Sequence, residues 1–393
     1  MSGEMDKHIL KEAAAAFATD GEAVSCQRYG SGHINDTFRL ICEKHPYILQ
    51  RMNTDIFQDP VSLMRNIEGV TTFLRQEVIK NNGDPDRETL NLIRTREGAP
   101  YYVDSRGNYW RMYLFIEGAT CYNLVEKPED FYQSGKAFGH FQRLLAHYPA
   151  RELAETIPGF HDTPGRAFRK AVEEDICGRA SEVQNEIQFV MDREQDMGLA
   201  MDMLAKGELP LRVTHNDTKL NNIMIDDKTG QAICIIDLDT VMPGLSIFDF
   251  GDSIRFGANT AEEDETDLTK VSLSVPLFEI YTRGFLEGCA GSLTEAEVKM
   301  LPQGARLMTL ECGIRFLTDY LSGDTYFKIA REKHNLDRCR TQFGLVEDME
   351  KKPFYWEEDL ETYQPLSKFW GTYSAVKYRF MTQVIGVPVT RVC

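Results

Sequence analysis

The run Val213-Thr214-His215-Asn216-Asp217-Thr218-Lys219-Leu220-Asn221-Asn222, continued by IMIDDKTGQAICIIDLD from Ile223 to Asp239, decides how this 393-residue chain is read. Two short apolar runs, NNIMID and QAICIID, flank Asp227-Lys228-Thr229-Gly230, the pattern of a hairpin with a glycine-bearing turn. Asp217 comes two residues after His215, Asn222 five after Asp217, and Asp237 at the end of the second run. Phosphoryl transfer asks for such a set: one carboxylate to orient and deprotonate a hydroxyl, an amide and another carboxylate to hold magnesium against the phosphates. The hairpin would bring Asn222, at the start of one strand, close to Asp237, at the end of its partner. Amide and carboxylate oxygens suit that hard cation. Asp217 and Asn222 could also cap an ordinary turn, but a turn does not require Asp237 at the hairpin's end.

Outward from this stretch, the first third alternates short strand-like runs with turns. Ser25–Tyr29, Thr37–Cys42 and Tyr47–Met52 precede a helical apolar pattern over Pro60–Lys80, with further strand candidates at Thr89–Thr95 and Asn108–Phe115. The amino terminus reads as a short helix ending at Gly21. After Ile116 helices dominate: Phe131–Leu145, Arg166–Leu204, Val271–Leu286 and Thr294–Leu321. The expectation is an α+β, two-lobed, kinase-like fold, with a β-rich nucleotide-binding lobe over 1–117 and a helical catalytic and substrate-binding lobe over 118–393.

Composition narrows the partners. A net charge of −17 without clustered Lys and Arg argues against nucleic-acid binding. No run approaches the ~20 apolar residues of a membrane span, and the amino terminus lacks a signal-peptide pattern. The nine cysteines are scattered and never spaced as CxxC, so no disulfide framework or zinc site is signalled. A cytoplasmic, small-molecule-directed protein is expected.

HxDxxxxN followed by a hairpin and an Asp resembles the eukaryotic-type protein kinases and, more closely, the aminoglycoside phosphotransferase-like small-molecule kinases. The flanking text VTHNDTKLNN, IDLDTVMPGLSIFDFGDSIRFGANT and GSGHINDTF is similar to that of N-acetylhexosamine 1-kinases, over about Tyr29 to Phe327. The resemblance implies ATP and Mg2+ as cofactors and an amino sugar as substrate, with transfer of the γ-phosphate to its 1-hydroxyl. Another small hydroxyl acceptor, such as an aminoglycoside, choline or homoserine, and a catalytically dead nucleotide-binding module are the rival readings. By position, Asp217 would be the base, Asn222 and Asp237 metal ligands, and His215 a brace for the loop. Asp249-Phe250-Gly251 spells the protein-kinase metal motif but lies beyond the hairpin, so Asp249 is expected to be structural. Asp239 would share a strand face with Asp237, as a second metal ligand or a buried acid.

In the first lobe, the turn Gly30-Ser31-Gly32-His33-Ile34-Asn35 could cover phosphates with backbone N–H groups, or simply close a hairpin. The resemblance adds His33 and Asp36 as sugar-facing candidates. The strand YILQRMN has no lysine, which departs from the family pattern. Arg51 would then hold phosphate with its planar fork, with Glu68 of the following helix as its partner. Phe115 and Glu117 would pass beside the adenine. On the late helix, Glu311, Arg315 and Asp319 share one face at i, i+4, i+8, either as an exposed ion ladder or as a sugar pocket that includes Arg315 and Tyr320.

Overall fold

A computed structural model of the chain describes residues 7–30, 34–122, 125, 127–157, 159–161 and 166–352. The chain forms two compact units. The first comprises Met1–Cys121, His147–Ile157 and Ile223–Met242; the second comprises Tyr122–Ala146, Pro158–Asn222 and Pro243–Cys393. The first unit thus runs to just past the expected junction and also takes in two later stretches, one of them the hairpin.

In the first unit, helix α1 (Lys7–Ala16) precedes strands β1 (Ala23–Arg28), β2 (Asp36–Cys42) and β3 (Pro46–Arg51). Helix α2 (Pro60–Lys80) follows, then β4 (Leu92–Ile93), β5 (Tyr102–Val103), β6 (Tyr109–Leu114) and β7 (Ala119–Thr120). The antiparallel sheet runs β1-β2-β3-β6-β4, with β5 also on β6. Burial alternates along β2, where Phe38, Leu40 and Cys42 point inward. They pack with Ile9, Ala13 and Phe17 around α1 and with Tyr47, Leu49, Trp110 and Met112 of the central strands. Helix α2 starts where the sequence places it: Pro60 fills the first turn, where its missing N–H has no partner to lose. The Asp59 side chain caps it by accepting the Ser62 N–H at 3.0 Å.

The hairpin strands are Ile223–Asp226 and Ala232–Ile235, with β7 added on the outer side of the first. Ile223 pairs with Ile235. The turn forms because the Asp226 carboxylate accepts the N–H groups of Lys228 and Thr229 at 3.0 and 2.8 Å, while Gly230 takes the left-handed backbone the return requires (φ 67°).

The second unit is helical. α3 (Pro128–Leu144) packs along a later helix, α9, with Gly139 so close to the carbonyl of Phe285 that a Cβ there would clash. The helical stretch expected over Arg166–Leu204 comes as four helices: α4 (Arg166–Glu174), α5 (Gln184–Met191), α6 (Glu194–Met197) and α7 (Leu199–Ala205). Asp175 and Gly178 take positive φ after α4, and a new cap falls at Gly198. The short strand Arg212–Thr214 leads to the catalytic-type loop. Beyond the hairpin come α8 (Ser246–Gly257), α9 (Val275–Cys289), α10 (Glu295–Leu321) and α11 (His334–Glu350). α8 and α11 are absent from the sequence expectation. The core here joins α4, α5, α10 and α11 through Phe168, Val190, Leu317, Phe343 and Val346.

Candidate active site

In the second unit, the loop from His215 to Asn222 hangs on the first turn of α8. Asp249, fully buried, accepts the backbone N–H of His215 at 2.9 Å and of Asn216 at 2.8 Å, and the Gln142 amide at 2.9 Å. Burial raises the pKa of its carboxyl despite these bonds. The familiar-looking triplet is therefore part of a buried helix: Asp249 holds the loop, Phe250 sits in the aromatic core against Phe278, Tyr281 and Phe285, and Gly251 lets α8 lie against Gly304 of α10. Asp252 holds the next loop position, accepting the Thr218 N–H at 3.0 Å while paired with Arg255 at 2.9 Å.

His215 is buried against the ring edges of Phe138 and Phe141. Its Nδ1 accepts the N–H of Asp217 at 3.3 Å. The Asp217 side chain is partly exposed. Its Oδ1 lies 3.0 Å from the Lys219 ammonium and its Oδ2 accepts the Asn222 amide at 2.9 Å. Lys219 is largely desolvated, which alone would lower its pKa, but the charges of Asp217 and Asp252 outweigh that and raise it. Asn222 also donates to the Asp217 carbonyl at 2.8 Å. Its amide nitrogen is thus committed, and its oxygen, a hard donor, is the atom that could meet a cation.

Sequence reasoning missed what lies behind Asn216. This residue takes a left-handed backbone (φ 63°), and its side-chain oxygen stands 2.9 Å from Nε2 of His161. Nδ1 of His161 faces Glu311 of α10 at 3.2 Å. His161 and Glu311 form the polar wall of a small pocket otherwise lined by Met197, Met201, Phe248, Leu307 and Leu310. His161 lies on a connecting loop with no periodic pattern, so nothing in the sequence singled it out.

The face of Glu311, Arg315 and Asp319 is not an exposed ladder, since Glu311 and Asp319 are buried. Glu311 bonds His161. Asp319 accepts the N–H groups of Thr325, Tyr326 and Phe327 at 2.8 to 2.9 Å. The Arg315 guanidinium lies over Phe160, Tyr326 and Phe327. Tyr320 belongs to the core, with Arg179 over its ring.

In the first unit, Asp237 is exposed, takes a left-handed backbone (φ 61°) and starts a tight turn over Leu238–Thr240. The strand ends at Ile235, so the alternation that would put Asp237 and Asp239 on one strand face does not operate. Asp239 is buried and bonded on both oxygens, to Arg111 of β6 and to the Asn35 amide, the latter at 2.7 Å. Arg111 is desolvated, yet the charge of Asp239 carries its pKa above the usual value. Arg111 in turn donates Nε to Gln50 at 2.9 Å. The signal was visible in YWRMYL: an arginine in a central apolar strand needs a buried partner.

Arg51 is paired with Asp36, its Nε donating at 3.0 Å, and Asp36 also holds Arg28 at 2.8 Å. Glu68 binds Arg94 instead of Arg51, so the expected Arg51–Glu68 pair does not form. Gly30 takes a positive φ of 76° with open space around it; Gly32 and His33 lie outside the described residues. The Phe115 ring contacts Tyr29 edge-on and lies under Arg39, and the Glu117 carbonyl accepts Arg87 at 2.6 Å.

The model of the phosphotransferase enzyme family, APH, matches residues 25–271, well over half of the chain. The chain belongs to this family. Solved structures agree on the fold of an APH chain. An amicoumacin kinase in complex with AMP-PNP and Ca2+ aligns with a TM-score of 0.54 at 13% identity, covering 89% of this chain and 95% of that one. A choline kinase from Cryptosporidium parvum Iowa II gives 0.52 at 13% identity, over 83% and 89%. An aminoglycoside phosphotransferase from Alicyclobacillus acidocaldarius gives 0.51 at 11% identity, over 95% and 98%. This APH protein therefore has the two-lobed α+β kinase-like fold. Among the described residues no helix is long and apolar enough to cross a membrane, and no three His, Cys, Asp or Glu side chains cluster as a metal site.

Proposed function

We propose that this APH-family protein is an ATP-dependent small-molecule kinase that transfers the γ-phosphate to a sugar hydroxyl, the 1-hydroxyl of N-acetylglucosamine or N-acetylgalactosamine. The observation that carries the kinase reading is the Asp217–Asn222 pair on a loop fixed by Asp249 and Asp252. The sugar rests on the resemblance of the flanking text.

Asp217 orients the acceptor hydroxyl and takes its proton. Lys219, charged and beside Asp217, keeps that carboxylate in place and adds positive charge near the transferring group. His215 fixes the loop through the Asp217 N–H. Asn222 and Asp237 hold Mg2+, which when bound neutralises phosphate charge. Asp239 is the buried acid of the two earlier alternatives, since both its oxygens are engaged by Arg111 and Asn35. Arg51, tied to Asp36, is the phosphate-facing cation of the first unit, and the backbone around Gly30 and Phe115–Glu117 accommodates the nucleotide.

The test is ADP release with Mg-ATP against N-acetylglucosamine, N-acetylgalactosamine, unacetylated hexoses, an aminoglycoside, choline and homoserine, followed by locating the phosphorylated carbon. Turnover confined to choline or an aminoglycoside would refute the sugar assignment, and ATP binding without turnover on any acceptor would refute the kinase.

A further inference from the structure

The His161 side chain is only 9% exposed, with both ring nitrogens facing oxygen. Nε2 meets the side-chain oxygen of Asn216 at 2.9 Å. The orientation of that amide is fixed by its other end, because Asn216 Nδ2 faces the Thr214 carbonyl at 3.4 Å and only a donor belongs there. Nε2 must therefore carry a hydrogen. Nδ1 lies 3.2 and 3.4 Å from the two oxygens of Glu311, and an ionised carboxylate only accepts, so Nδ1 carries one too. The ring is then an imidazolium, bridging α10 to the residue before Asp217. Asn216 is the strained link in this chain, a non-glycine residue with φ 63°, a backbone that persists only where the surroundings over-determine it.

We propose that His161, protonated on both nitrogens between Glu311 and Asn216, is a positioning residue for phosphoryl transfer: it locks the left-handed Asn216 and so the direction of the Asp217 carboxylate. The proposal rests on the kinase reading of Asp217. Three further groups surround the ring. Arg315, on the same helix as Glu311, disfavours the cation, and the rings of Phe160 and Phe248 enclose it. Burial also opposes protonation, but the charge and hydrogen bonds of Glu311 and Asn216 prevail and the pKa lies above the ordinary 6.5. The cation therefore persists to higher pH than in an ordinary histidine and is given up as pH rises through the raised value, and kcat should decline with it on the alkaline side.

The experiment uses the full chain, 15N-labelled at histidine. At pH 7.5 long-range 15N–1H spectra should show one imidazole protonated on both nitrogens, and that signal should vanish in His161→Phe. A neutral His161 overturns the proposal and does so without reference to catalysis. In kinetics with Mg-ATP and the best acceptor found, His161→Phe should lower kcat by about ten- to a hundredfold, the scale of a misplaced catalytic group, and leave the KM for ATP within about twofold. That variant removes a partner of the buried Glu311, so His161→Phe/Glu311→Leu is made alongside it. The double variant should regain the melting temperature but not kcat. Recovery of both together would make His161 merely structural and overturn the positioning role. A wild type inactive on every acceptor overturns the kinase reading and the positioning role with it, whereas an active enzyme with a neutral His161 overturns this proposal alone.

Discussion

Asp249 holds Asn216 by its main chain, accepting the N–H at 2.8 Å, and the other oxygen of the same carboxylate takes the N–H of His215 at 2.9 Å. One buried acid thus fixes the two peptide groups that lead into Asp217. In Asp249→Asn, one carboxylate oxygen becomes an amide nitrogen that faces a backbone N–H, and that donor is left unsatisfied in the core. The expected loss is about 1–3 kcal/mol of stability, together with a fall in kcat as the loop loosens. Urea unfolding and steady-state kinetics check both. An unchanged kcat in a folded variant would separate Asp249 from the loop's function.

Asp217→Asn leaves the Asn222 contact geometrically possible and the fold intact, but removes the proposed base. Turnover should drop by roughly 10²–10⁴, the usual worth of a general base, with little change in melting temperature. Near-normal turnover would remove Asp217 from the role.

The proposed role of Asp237 toward Mg2+ is tested directly. Asp237→Ala should abolish the magnesium dependence of ATP binding in calorimetry, while titrations without metal look like wild type. Unaltered magnesium-dependent binding would show that the cation is held elsewhere.

Much of this site was legible from local pattern. Spacing and turn chemistry are short-range, so HxDxxxxN, the Asp226–Gly230 turn and the α2 boundaries follow from neighbouring residues. What escaped depends on distant partners. α8 is buried on nearly every side, and its polar stripe of Ser246, Asp249, Asp252 and Ser253 bonds the loop and a neighbouring helix instead of facing water, so SIFDFGDSIRFG does not read as a surface helix. α11 does space Leu336, Cys339, Phe343 and Val346 at helical intervals, but charges between them dilute the signal. Over Arg166–Leu204 the helical character was legible but its breaks were not, because apolar residues continue through the interruptions at Asp175, Gly178 and Gly198. Arg51 and Glu68 looked like partners by analogy, yet Asp36 and Arg94 stand nearer to each.

Asp252 gives the protein an acid-sensitive contact. Burial would raise its pKa, but Arg255, Lys219 and the Thr218 N–H outweigh burial and lower it below the ordinary 3.8. A depressed carboxylate stabilises the fold above its unfolded value, and that share is lost as pH falls through the folded value. Stability should therefore decline below about pH 4, and Asp252→Asn should flatten that limb in melts between pH 5 and 3. Parallel wild-type and variant slopes would count against it.

The Arg111–Asp239 pair sets the last expectation. Both side chains are almost wholly buried, so neither charge can fall back on water if the other is removed. Arg111→Met should cost about 3–5 kcal/mol, because it strands Asp239 with only the Asn35 amide. Asp239→Leu should cost a similar amount by stranding Arg111, which keeps Gln50 alone. The double variant replaces the pair by apolar groups of similar volume and should be more stable than either single one. A cycle of the three in urea reads the coupling directly. Additive losses would mean that the two charges are solvated rather than paired, and the buried acid assigned to Asp239 would have to be given up.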